Sequence, residues 1–254
     1  MTITGPPKDL PLEVRQTLRA YLTEVTGIFG PTLEAVILYG SAARGDFLPG
    51  RSNLNLLLLL SAHNTEALER YGKVHRRWNR EHIVVPLILT QEELQSSLEL
   101  FPLEYLEIKE HHVLLAGQDP FPDLDVSTRN LRLECEQELR GNLLRLRQRF
   151  VEGAGKPEAA GMLLPLSLTS LLPCLRGLIR LLGYPVPGAA EALLNDLRAR
   201  LGVDLTTLQD ALNLKRGLMT PGPVEIPRLF ERYVSAIQTL IEKVEELKKQ
   251  GKLQ

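Results

Sequence analysis

The residues best equipped for chemistry lie in one run, Leu38-Tyr39-Gly40-Ser41-Ala42-Ala43-Arg44-Gly45-Asp46-Phe47-Leu48-Pro49-Gly50-Arg51-Ser52-Asn53-Leu54-Asn55. A turn that holds phosphate needs backbone N–H donors, which the start of a helix supplies together. It also needs glycine where the backbone must approach the ligand closely. Gly40-Ser41 after an apolar stretch, with Gly45 one turn later, meets those needs, and Ser41 and Ser52 add hydroxyl groups. Transfer chemistry on a triphosphate further asks for carboxylates that hold Mg²⁺ against the phosphate oxygens, because a hard cation prefers charged oxygen ligands. Alternate positions on a strand put two side chains on one face. Positions 53 and 55 have that spacing, but Asn53 and Asn55 occupy them. Asparagine keeps the shape and a carbonyl oxygen and removes the negative charge.

Other acids near the run are few. Asp46 is the one acid inside it, and Glu81 precedes the next apolar segment. These two are the candidate metal ligands, although a loop aspartate more often closes an Asx-turn. Arg70, Lys73, Arg76, Arg77 and Arg80 surround Trp78, and the interleaved Glu66 and Glu69 read as a solvated helix face rather than a polyanion site. His63, His75, His82, His111 and His112 lack metal-ligand spacing. Arg140, Arg145, Arg147 and Arg149 either meet phosphate or pair with Glu134, Glu136 and Glu138.

The elements that position this run read as follows. Leu12–Ile28 has apolar residues at Leu18, Tyr21, Leu22 and Val25, a helical period started by Pro11 and broken by Gly30-Pro31. Ala35–Tyr39 and Leu54–Leu60 are strands, the second apolar enough to be buried on both faces. Between them Gly40–Gly50 is a loop, with or without a short helix. Thr65–Arg80 is a charged helix. His82–Leu89 is a third strand, made irregular or pushed to an edge by Pro86. Thr90 and Glu93 form a capping box that opens a helix to about Leu100. Val113–Ala116 is a last strand.

Beyond Pro122 the pattern is helical throughout. The helices are Ser127–Phe150, the apolar Gly161–Leu182, Ala189–Leu201, Leu205–Leu214 and an amphipathic Pro227–Lys249, with a hinge at Gly153–Lys156. The expected fold class is an α/β (α+β) domain with a small mixed sheet over 1–122, followed by an all-α helical bundle over 123–254.

Composition fits this division. In 254 residues, 30 Lys and Arg balance 31 Asp and Glu, so no basic excess points to nucleic acid. Cys135 and Cys174 are far apart, read as small core residues, and with the absence of an apolar leader in Met1–Leu10 point to a reducing cytoplasm. Met162–Leu175 is apolar but short of the ~20 residues a bilayer needs, and Pro165 and Pro173 interrupt it.

The turn and strand pair over Ala35–Leu60 resemble the DNA polymerase β-like nucleotidyltransferase superfamily. Its motif is a Gly-Ser turn followed by Asp-x-Asp on the next strand; Gly40, Ser41, Gly45 and Ser52 match it. The order of an α/β half and a helical half is similar to that of bacterial aminoglycoside nucleotidyltransferases. The resemblance implies a nucleoside triphosphate as ligand, Mg²⁺ as cofactor, metal-binding acids at 53 and 55, and a third carboxylate on a later strand. His82–Leu89 contains no acid, and neutral residues at 53 and 55 predict that metal-dependent transfer is lost or severely weakened. Three readings follow: a degenerate nucleotidyltransferase that binds nucleotide or anion, an active one serving a small hydroxylated substrate or a protein, and an interaction protein with a vestigial loop. No membrane partner is expected, and the helical half is a candidate homodimer surface.

Overall fold

In a computed structural model of the chain, residues 2–122 and 124–253 are described; Met1, Asp123 and Gln254, which include the first residue of the expected helical domain, lie outside them. The chain forms two compact units, Met1–Val126 and Ser127–Gln254.

The first unit is built on four strands: β1 (Leu33–Tyr39), β2 (Asn55–Leu60), β3 (Leu87–Thr90) and β4 (His112–Gly117), in the order β3-β2-β1-β4. β1 runs antiparallel to β2 and β4, and β2 runs parallel to β3, so the sheet is small and mixed. Both faces are covered. Val36 and Leu38 of β1, with Leu54, Leu56, Leu58 and Leu60, pack under α1 (Leu12–Phe29) and α3 (Thr65–Arg80). Ala35 and Ile37, with Leu57 and Leu59, pack under α4 (Gln91–Ser97) and α5 (Pro102–Glu110). This two-sided burial is why β2 reads as an unbroken leucine run instead of an alternating one. The helix α1 buries Leu18, Tyr21, Leu22 and Val25, as their spacing requires. The capping box forms, with the Thr90 side chain accepting from the Glu93 N–H and Glu93 accepting from the Thr90 N–H.

Two expectations need correction here. The segment His82–Leu89 is a strand only from Leu87 on; before it, Ile83 makes an isolated parallel bridge to Leu54. Pro86 has no N–H to give a ladder, and His82 sits at φ 62°. Asn53 lies outside the ladder altogether, since β2 begins at Asn55.

The second unit contains α6 (Thr128–Glu152), α7 (Pro157–Leu181), α8 (Ala190–Leu201), α9 (Thr206–Arg216) and α10 (Ile226–Lys249). The structure runs α7 unbroken through Pro165 and Pro173. Each interior proline costs a helix about 3 kcal/mol. Thirteen buried residues along α7, among them Leu164, Leu168, Leu171 and Leu175, outweigh that cost. At 25 residues α7 is long and apolar enough to cross a membrane, contrary to the expectation from its central stretch, yet most of it is buried within the protein. Cys135 and Cys174 are buried free thiols on α6 and α7, each sulfur directed at the other residue's carbonyl. A polar cluster ties α6, α7 and α10: Asn142 Nδ2 donates to Ser170 Oγ at 2.8 Å, Ser167 Oγ to Asn142 Oδ1 at 2.6 Å, and Tyr233 Oη to Ser167 Oγ at 3.2 Å.

Candidate functional site

The Gly-Ser turn leaves the end of β1 and enters α2 (Ser41–Arg44), a single helical turn. Gly40 holds φ 76° and ψ −151°, a conformation open essentially to glycine alone. A Cβ there would lie 2.6 Å from Asn55 Nδ2, so the Asn55 amide is seated against the Gly40 backbone. The N–H groups of Ser41 and Ala42 find no backbone acceptor among the described residues, while Ala43 and Arg44 donate to the Gly40 carbonyl at 3.1 Å. Gly45 ends the turn in the left-handed region at φ 81°, and Asp46 donates its N–H to the Ser41 carbonyl.

The sheet brings Asn55 opposite Tyr39, and Tyr39 opposite His112 on the other side. Gly40, Ser41, Asn55 and Tyr39 therefore meet at one end of the sheet. The remaining expected site residues do not all join them. Ser52 is buried, and its Oγ accepts the Leu48 N–H at 3.0 Å, which closes the 48–52 turn. Gly45 serves the turn's geometry. Asn53 is exposed. Glu81 is exposed at the end of α3. Asp46 and Glu81 do not gather into a metal site, since no three His, Cys, Asp or Glu side chains among the described residues are placed to hold an ion. The donor set at the turn does not fit Mg²⁺: the side chain against Gly40 is the neutral Asn55 amide, where charged oxygens would be needed.

Two acids that the sequence did not single out do approach the turn, both from α5. Glu107 is buried and accepts from Arg44 of α2, Oε2 to Nη1, at 3.1 Å. Glu104, one turn earlier, acts on Tyr39: burial and then the Glu104 charge raise the Tyr39 phenol above its usual value, which keeps it protonated. The Glu104 residue reaches solvent, yet the protein packed about its carboxyl withdraws water and raises its proton affinity. The Glu104-x-x-Glu107 spacing was the available signal, because residues three apart share a helix face. The folded state binds the Glu104 proton more tightly than the unfolded chain, so its stabilising contribution is present at low pH and is lost as pH rises through the folded value. Glu104→Gln is expected to raise Tm near neutral pH and to leave it unchanged near pH 4, which thermal melts at the two pH values would show.

The other charged residues are engaged in ways the spacing did not predict. Arg77 pairs with Glu24 of α1 and lies 4.7 Å over the Trp78 ring. Arg145 pairs with Glu138 as expected, but Arg140 pairs with Glu245 of α10 and Glu136 with Lys248. His63 meets Glu93, and His112 meets Asp119.

No family model matches this chain, and no curated protein matches it in sequence. Among solved structures it is similar to spectinomycin adenyltransferase AAD(9) from Enterococcus faecialis, solved with ATP and spectinomycin. The match has a TM-score of 0.55, covers 88% of this chain and 98% of that one, and has 11% identical residues. At that identity the likeness is one of fold: the chain shares with that protein an α/β unit followed by a helical unit.

Proposed function

We propose that this protein binds a nucleoside triphosphate, or a polyphosphate of like shape, at the Gly40-Ser41 turn without metal, and that it has lost metal-dependent nucleotidyl transfer. The observation that carries the reading is the Asn55 amide seated against Gly40. A carboxylate at that place would repel a bare phosphate and would need a cation between them. An amide removes the repulsion and adds N–H donors. The turn N–H groups and the Ser41 hydroxyl supply the rest of the anion site. The fold shared with an adenyltransferase solved with ATP supports a nucleotide as the anion's source.

Calorimetric titration with ATP, with and without Mg²⁺, tests this. Binding is expected in both conditions with no gain from the metal, and Ser41→Ala is expected to weaken it by about threefold to tenfold, the worth of one hydrogen bond. Metal-dependent transfer from ATP would instead identify an active transferase, and no binding at all would mark the loop as vestigial.

The double substitution Asn53→Asp with Asn55→Asp is the reciprocal test. It is expected to weaken metal-free ATP binding and to raise affinity for Mg²⁺ by about tenfold or more, since two carboxylates replace two amides. Titration of the variant with Mg²⁺ alone reads this directly.

A further inference from the structure

Tyr39 and Asn55 stand directly opposite each other at the end of the sheet, as do Ile37 and Leu57 two residues back. Opposed residues of antiparallel strands point the same way, and alternate residues of a strand share a face. Ile37 and Leu57 lie on the face that α5 covers, and Tyr39 packs there with them. Asn55 therefore faces the α5 side as well. Glu104 and Glu107 of α5 are about 4.5 Å apart along the helix and about 60° around it. Glu107 reaches Arg44 of α2 at 3.1 Å, which holds this stretch of α5 against the turn. The Glu104 charge acts on the Tyr39 phenol. Tyr39, Asn55, Arg44, Glu107 and Glu104 converge beside Gly40.

The titratable groups at this end are engaged to different degrees. Arg44 is taken by Glu107, and His112 of β4 by Asp119 at 3.1 Å. Glu93 of α4 accepts from the Thr90 N–H and meets His63. Tyr39 and Tyr105 are held protonated, first by burial. Asp46, past the Gly45 end of α2, is the other acid beside the turn. Glu104 forms no ion pair among the described residues, and it reaches solvent. An accessible carboxyl that its surroundings push toward the neutral form, set beside a binding turn, is in the position of a functional group rather than a structural one.

We propose that the anion enters the Gly40-Ser41 turn together with one proton, which the Glu104 carboxyl carries. The proposal rests on the nucleotide reading above and adds what regulates that site. A polyphosphate brings negative charge to the turn, and a like charge close by disfavours an ionised carboxyl. Coupling of this kind is reciprocal, so a protonated Glu104 favours the anion by the same factor. Asn55 removes one repulsive charge at every pH. Glu104 removes a second only when protonated. The affinity it contributes is present at low pH and is lost as pH rises.

Calorimetric titration with ATP at about pH 5 and about pH 8, on the parent and on Glu104→Gln, tests this. ATP has a titrating phosphate of its own, so the readout is the ratio of the two proteins' dissociation constants at each pH, in which that proton cancels. The ratio is expected to be near one at the lower pH. At the higher pH the parent is expected to bind about tenfold more weakly than the variant, the equivalent of one pKa unit. Near neutral pH the parent should also take up protons on binding that the variant does not, which titration in buffers of unlike ionisation heat counts. A ratio that is the same at both pH values would overturn the proposal and leave the nucleotide reading standing. A pH dependence that survives Glu104→Gln and disappears with Asp46→Asn would overturn it too, by placing the proton on the loop acid. ATP binding to neither protein at either pH would overturn both readings together.

Discussion

Glu107→Ala is expected to destabilise the first unit by about 3–5 kcal/mol, the cost of stranding a buried charge. The Arg44 and Glu107 side chains are 13% and 7% exposed and stand 3.1 Å apart. Among the described residues Arg44 Nε has no partner of its own, and Glu107 is the visible neutraliser of a guanidinium that water barely reaches. The effect on position follows from the size of α2. A four-residue helix has no stability of its own, and the described structure holds it by its glycine ends, by Ala42 in the core and by the link to α5.

Urea titration of Glu107→Ala should show a lower midpoint with an unchanged slope, as a loss of stability without a change of compactness requires. The double variant Arg44→Met with Glu107→Leu should recover most of the loss, because apolar replacement of both partners removes the desolvation penalty together with the attraction. If it does not, the pair is worth more than its charges. The exposed Arg145–Glu138 pair is the comparison: solvent screens it, and Glu138→Ala should cost little.

The difference between those pairs also marks what was legible in the sequence. Signals confined to a few neighbouring residues translated directly. The period of α1, the Thr90–Glu93 box, the doubly buried leucines of β2 and the glycines flanking α2 each carry their own physics within one turn or strand. The third strand was overestimated because apolar character alone does not supply ladder donors, and Pro86 and the left-handed His82 remove the start of it. Pro165 and Pro173 were overestimated as breaks because local cost was weighed without the packing of α7.

The approach of α5 to the turn could not be read locally. Arg44 and Glu107 are 63 positions apart, and they meet only because β4, the strand that follows α5, takes the place beside β1. The Asn-x-Asn spacing was read as two residues of one strand. The chain begins its strand at the second of them, so Asn55 touches the turn while Asn53 stands in solvent. That asymmetry makes Asn55 the residue whose charge matters more.

Gly117→Ala is expected to cost about 3 kcal/mol or more, again in the first unit and at the opposite end of β1. Gly117 closes β4 opposite Ala35, at φ 93°. A Cβ there would lie 1.9 Å from the Glu34 carbonyl oxygen and 2.7 Å from Ala35 Cα. Both are backbone atoms of the central strand, so relief requires β1 and β4 to part, and the N–H of Gly117 that donates to Thr2 at 2.9 Å would move with them. A left-handed conformation alone costs an L-residue about 1–2 kcal/mol, and forced overpacking adds about 1–3 kcal/mol.

Gly27→Ala in α1 and Gly72→Ala in α3 are the controls. Among the described residues a Cβ at either meets nothing within 4 Å, and each is expected to add about 0.5–1 kcal/mol through helix propensity. Thermal or urea melts of the three variants should therefore differ in sign, not only in size. A small effect at Gly117 would mean that the β1–β4 register can slip. Because Tyr39 pairs with His112 in that same ladder, slippage would also displace the end of the sheet on which the Gly40 turn is built, and ATP titration of the folded variant would then register the change at the far end of β1.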